Sequence, residues 1–134
     1  MVRSPGASPV IRAIRVAVAN QPRMMRDLIA MSLAQEEDVE VVAQIGEEAQ
    51  IPQLIEEVKP EFLIVSIDAR RFGPLAREDM LQRHPELQII ALSRDGNSFT
   101  LFSASDGVRS MIYREADTEI LDVLRSNCRT KEGG

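Results

Sequence analysis

Lys59-Pro60-Glu61-Phe62-Leu63-Ile64-Val65-Ser66 decides the fold of this chain. Phe62 to Val65 is an unbroken apolar run, and Pro60 stops any helix arriving from upstream. A run this short reads as a strand buried on both faces, the habit of parallel sheets sandwiched between helices. The flanking pattern agrees. Upstream, 14–19 (Ile-Arg-Val-Ala-Val-Ala) is a strand rich in β-branched residues, and Asn20 with Pro22 opens a helix to about Gln35. A second strand spans 39–45 and ends at Gly46, and a second helix, with Pro52 in its first turn, reaches Lys59. Downstream, a loop and a helix end before His84-Pro85, and 87–92 is the fourth strand. Arg94-Asp95-Gly96-Asn97 reads as a loop, 98–105 as a short helix stopped by Asp106-Gly107, and 108–113 as the fifth strand. Asp117 caps a last helix to about Asn127. Five strands alternating with five helices imply an α/β fold with a parallel sheet covered on both faces.

The ends differ from this middle. Ser4-Pro5-Gly6 and Ser8-Pro9 mark 1–13 as a flexible leader, 14–128 is the domain, and 129–134 is a polar tail. A chain of 134 residues is long enough to bury one core. Hydrophobic residues at 44% and charged residues at 28% exclude a disordered or fibrous chain. The net charge of −5 argues against direct nucleic-acid binding, and Arg70-Arg71 is too short a basic step to reverse that. The single cysteine, Cys128, cannot form an internal disulfide and fits a reducing compartment; it reads as a small core or interface residue. One histidine, His84, cannot build a metal site and suits capping or surface duty. No apolar run approaches the roughly 18 residues a membrane span needs, and no signal-peptide core follows Arg3. A cytoplasmic protein without membrane contact is expected.

The five-unit βα pattern over about 13–128 resembles the receiver domain of bacterial two-component response regulators. Ile14-Arg15-Val16, Gln21-Pro22, Val39-Glu40-Val41-Val42, Lys59-Pro60 and Arg83-His84-Pro85 stand in the order and spacing of receivers of the nitrate-response class, which usually precede a LuxR-type helix-turn-helix. The resemblance implies a doubly wound, flavodoxin-like (βα)5 fold with strand order 2-1-3-4-5. It also implies a site: an acidic pair binding Mg²⁺, a phosphoacceptor aspartate, a Thr/Ser and a Lys that sense the phosphoryl group, and a switch aromatic. Those positions hold Ala19 and Asn20, Ser66, Ser93, Arg114 and Met111 in turn. Only the Ser/Thr position is kept.

The chemistry of that set is wrong for phosphorylation. Mg²⁺ is a hard cation that wants carboxylate oxygens, whereas Ala19 offers none and Asn20 only a neutral carbonyl. A serine at 66 lacks both the aspartyl carboxylate and an activating base. Without the metal, charge developing on a transferred phosphoryl group is not neutralised. The sequence thus reads as a degenerate receiver, with no cofactor or metal and no enzymatic nucleophile–base pair. Asp68, two residues past Ser66, is either a displaced acceptor or a plain loop carboxylate, and Asp95 is an ordinary loop residue. Asn20, Ser66, Asp68, Ser93 and Arg114 are expected at the crevice along the carboxyl ends of the strands, where open α/β sheets bind ligands. They could take a small ligand there, or form an inert polar remnant in which Arg114 bonds Ser66 or Asp68.

The expected function is a phosphorylation-independent regulatory module that associates with itself or with a signalling partner; the alternatives are a ligand-switched regulator and the receiver of a longer transcriptional regulator. In the first helix Met24, Leu28 and Met31 are read as the sheet-facing stripe. Met25, Ile29 and Leu33 then remain as an outward stripe, extended by Val123 and Leu124 of the last helix into a homodimer face. Phe99 and Phe102, at i and i+3 of the helix expected at 98–105, give a rival face.

Overall fold

The computed structural model describes residues 13–20, 23–69, 72–93, 98–104, 109–114 (main chain only) and 120–126. Six strands form one sheet in the order β2-β1-β3-β4-β5-β6. They are β1 Ile14–Val18, β2 Val39–Gln44, β3 Phe62–Ser66, β4 Gln88–Leu92, β5 Ser98–Ser103 and β6 Arg109–Arg114. The helices are α1 Arg23–Ala34, α2 Ile51–Val58, α3 Pro74–Arg83 and α4 Ile120–Ser126, with a 3-10 turn, Glu48–Gln50, before α2. β1 to β4 pair in parallel. Alternate residues of each strand enter opposite cores, as the pleat requires. Val16, Val18, Phe62, Ile64, Ile90 and Leu92 meet α1 and α4 through Ala30, Leu33, Val123 and Leu124. Ala17, Leu63, Val65, Ile89 and Ala91 meet α2 and α3 through Ile51, Ile55, Met80 and Leu81. All five residues of β3 are buried, as its apolar run requires.

Local chemistry sets several boundaries. Pro52 and Pro74 stand in the first turns of α2 and α3, where a missing N–H costs nothing. Lys59 closes α2 in the left-handed region (φ 48°), its N–H donating to the Ile55 carbonyl at 2.9 Å. The Lys59 carbonyl in turn accepts from Arg15 Nη1 at 2.8 Å, which ties the helix end to β1.

The far edge corrects the sequence reading. Residues 98–103 form a strand, not a helix, antiparallel to β4 on one side and to β6 on the other. The strand expected fifth, at 108–113, is therefore β6 and lies one place further out than the order 2-1-3-4-5 puts it. Phe99 and Leu101 face one core while Phe102 packs against the other, a period of two. Phe, Thr and Ser are poor helix formers, and Ser98-Phe99-Thr100-Leu101-Phe102-Ser103 fits a pleated surface better.

Arg125 of α4 clamps the turn between α1 and β2. Its Nε and Nη2 donate to the two Asp38 carboxylate oxygens at 2.8 and 2.9 Å, and Nη2 also reaches Glu36 at 3.1 Å. The hydrogen bond from Arg125 is the main reason the Asp38 carboxyl titrates below its usual 3.8. A lowered folded-state value stabilises the fold above 3.8 and gives that up as pH falls through the lowered value. Arg125→Met should therefore lower the melting temperature slightly at neutral pH, because solvent screens side chains that are 44% and 33% exposed. The gap to wild type should close in melts taken below pH 3.8; a gap that ignores pH would mean lost packing instead.

Candidate functional site

The carboxyl ends of the parallel strands form one edge. Ala19 and Asn20 follow β1, and the Ala19 N–H bonds the Ile64 carbonyl at 2.8 Å. Ser66 ends β3 opposite Leu92 of β4. Ser93 follows β4 and holds the start of β5: its N–H donates to the Ser98 carbonyl at 2.8 Å, and its Oγ accepts from the Ser98 N–H at 3.1 Å. Asn20 and Ser66 are buried and Ser93 is half-buried at this edge. Asp68 stands in the exposed turn beyond Ser66. Asp95 lies outside the described residues, as do Arg70-Arg71, the leader to residue 12 and the chain from 127, Cys128 included. His84 is the residue that closes α3, its N–H on the Met80 carbonyl.

Arg114 is displaced from this group. It ends β6 opposite Ser98, so β5 stands between it and β4. Three strand spacings, roughly 14 Å, separate its main chain from that of Ser66. The expected bond from Arg114 to Ser66 or Asp68 required β6 to neighbour β4. Met111 lies in β6 opposite Leu101.

A different arginine reaches the crevice. Arg26, on the first turn of α1, donates from Nη1 to the Asn20 carbonyl at 3.4 Å. Its Nη2 lies 3.7 Å from where a Cβ on Gly46 would stand, so the guanidinium spans the ends of β1 and β2. Asn20 is 1% exposed, and its side-chain Oδ1 is buried without a hydrogen-bond partner among the described residues. Such an unpaired acceptor costs about 1–3 kcal/mol. Sequence reading missed Arg26 because its side chain arrives from a helix rather than from a strand end. Among the described residues, no three His, Cys, Asp or Glu are grouped to hold a metal.

Arg77 is a second cation that the sequence did not announce. It is buried on α3, with its guanidinium 4.9 Å from the Phe102 ring centre and Nη1 donating to the Phe72 carbonyl at 3.3 Å. Burial lowers its pKa, and its Nε has no partner among the described residues. Phe102 is thereby covered and is not an open docking face.

The expected dimer residues are also corrected. Leu33, Val123, Leu124 and Phe99 are core residues at 5%, 2%, 0% and 4% exposure. Met25 and Ile29 pack partly buried against the same core. Met24, Leu28 and Met31 point outward instead. Both stripes of α1 are apolar, so periodicity could not choose between them. Close packing on β2 chose, placing Ala30 and Leu33 at the sheet.

No family model matches the chain. In sequence it is 24% identical over 110 residues to the transcriptional regulatory protein DegU of Brevibacillus brevis, across 81% of this chain and 47% of that protein. In structure it is similar to RcsB from Salmonella enterica serovar Typhimurium, solved bound to promoter rprA in the presence of phosphomimetic BeF3−. That match has a TM-score of 0.54 and 23% identity over 64% of this chain and 45% of that one. The chain spans a little under half the length of either relative. Its fold is the flavodoxin-like receiver fold. Together the two likenesses support a receiver domain of the response-regulator family. Among the described residues, no helix is long and apolar enough to cross a membrane.

Proposed function

We propose that this receiver domain signals in the cytoplasm without aspartyl phosphorylation and without catalysis of its own, by associating with itself or with a signalling protein. A receiver-type regulatory role follows from its relatives. The observation that carries the finer reading is the Arg26 guanidinium against the Asn20 carbonyl, at the crevice where Mg²⁺ would have to enter. A fixed positive charge repels a divalent cation, and Asn20 supplies only neutral oxygen to attract one. The chain's own cation thus stands beside Asn20, one of the two positions where a receiver would carry its acidic pair.

Incubation with acetyl phosphate and Mg²⁺ is expected to leave the mass unchanged, and beryllofluoride with Mg²⁺ to leave the melting temperature unchanged. A stable phospho-adduct would overturn the reading, and its loss in Asp68→Asn would name the displaced acceptor. A second reading, a regulator switched by a small ligand, is favoured by the buried Oδ1 of Asn20, unpaired among the described residues. A ligand N–H donor would satisfy that atom, and binding only to the native state raises the melting temperature. The same thermal assay with a panel of free amino acids and nucleosides tests it. A rise that disappears in Asn20→Ala supports the ligand; no rise across the panel leaves association as the mode of signalling.

A further inference from the structure

We propose that the outer edge of β2 docks an extended peptide segment of a partner protein, apolar at alternate residues and basic at one end. The inference rests on the association reading above and gives the partner a chemistry. β2 is the last strand of the sheet on this side, and neither Lys nor Pro guards it. Main-chain groups alternate in direction along a strand. The Asp38 carbonyl accepts from the Ile14 N–H, and the Ile45 N–H donates to the Val18 carbonyl, so these two residues face β1. Counting in twos from each of them turns Val39, Val41 and Gln44 toward the open side. Val39 does point that way, its N–H donating to the Glu36 carbonyl at 3.3 Å. The register partners of these three on β1 are Ile14, Val16 and Val18, evenly two apart. Val42 has no register partner, so a bulge takes up the extra residue and the outer groups keep the spacing of a regular strand. That spacing is the ladder an added strand pairs with.

A recess of about 470 Å³ lies beside this edge, between α1 and β2. Ala30, Met31 and Ala34 line it from the helix, and Val41, Val42 and Ala43 from the strand. A strand laid along β2 turns every second side chain toward α1. There the alanines leave room, and Met31, 61% exposed, adapts to what enters. Main-chain bonds along β2 then hold the segment, and the recess selects its apolar residues. Charge names the occupant. From Gln35 to Glu48 the chain has no Lys or Arg. Arg125 engages Glu36 and Asp38. Glu37 and Glu40 are exposed at the start of β2 and favour a basic residue there. At the far end Glu47 is exposed but Arg26 stands by Gly46, so that end selects no charge. A second copy of β2 fits poorly, because it brings acid to acid whichever way it runs.

Fluorescence polarisation of the labelled peptide Arg-Val-Thr-Val-Thr-Val-Arg, titrated with the full chain, tests the site. Arginine stands at both ends because parallel and antiparallel addition bring opposite ends of the peptide to Glu37 and Glu40. Saturable binding is expected. In a strand the valine N–H groups point to one side and the threonine N–H groups to the other. N-methylation of one set should therefore abolish binding, while N-methylation of the other keeps it within about 3-fold. Ala34→Trp, which fills the recess from an exposed position, should raise the Kd about 10-fold or more with unchanged circular dichroism. If that variant loses structure, Met31→Lys repeats the test. Glu37→Lys with Glu40→Lys should raise the Kd about 10-fold at low salt and less at high salt. No saturable binding up to about 1 mM overturns the site, and so does equal loss with both methylated peptides, the mark of a segment not bound as a strand. A wild-type dimer that Ala34→Trp makes monomeric in sedimentation gives the edge to a second copy and overturns the peptide. A chain that binds no peptide and forms no phospho-adduct loses this site but keeps the phosphorylation-independent reading. An adduct on a chain that binds the peptide removes that reading but not the site.

Discussion

Leu33→Glu should unfold the chain at room temperature, whereas Leu28→Glu should leave it folded. Both residues lie on α1, five positions apart. Leu33 is 5% exposed in the core formed with Ile14, Val39, Val123 and Leu124. The substitution removes about 1.5–3 kcal/mol of apolar burial. It also forces a carboxyl into a site where burial disfavours its charge, which costs several kcal/mol more. Together these approach the whole stability of an ordinary domain, about 5–15 kcal/mol. Leu28 is 58% exposed, so its carboxylate stays in water and the change should fall within about 1 kcal/mol. Far-UV circular dichroism with urea titration reads both. A folded Leu33→Glu beside an unfolded Leu28→Glu would turn α1 half round on the sheet.

What the sequence disclosed follows from how strongly each residue type constrains its place. The four-residue run at Phe62 could only be a strand buried on both faces, and the prolines at 52, 60 and 85 could only stand at helix beginnings or past helix ends. These fixed the layering and the strand order as far as β4. The phase of α1 was not legible, because its stripes differ in packing partners and not in polarity. β5 was half legible. Asp95-Gly96 and Asp106-Gly107 flank 98–103, and Asp-Gly between apolar runs is a strong hairpin signal. Both pairs read equally well as helix stops, and the βα rhythm favoured a helix between them. In the site, Asn20, Ser66 and Ser93 stand at or just past the ends of β1, β3 and β4, a position the strand pattern alone fixes because parallel strands end on one edge. Arg114 was misplaced by the extra strand. Arg26 and Arg77 gave no sign, since a long side chain can reach in several directions from a helix and only the packed fold selects one.

Truncation along β5 should alternate in cost. Phe99→Ala should destabilise by about 3–5 kcal/mol and Leu101→Ala by about 2–5 kcal/mol, the range for emptying a filled core site. Both are almost fully buried, at 4% and 1% exposure, against the core under α1 and α4. Thr100, between them, is half-buried on the opposite face, and Thr100→Ala should stay within about 1 kcal/mol. Phe102→Ala should fall between these values. It removes a partly buried ring and also strips Arg77 of the aromatic face 4.9 Å from its guanidinium, leaving a buried cation with one carbonyl partner among the described residues. A helix cannot give this order. Residues two apart lie on nearly opposite sides of a helix, so Phe99 and Leu101 could not both be core, whereas Phe99 and Phe102 would act together. Urea midpoints of the four variants decide. If Phe99→Ala and Phe102→Ala are costly and Leu101→Ala is silent, residues 98–103 are helical. The order 2-1-3-4-5 would then be restored, and Arg114 would return to the side of Ser93.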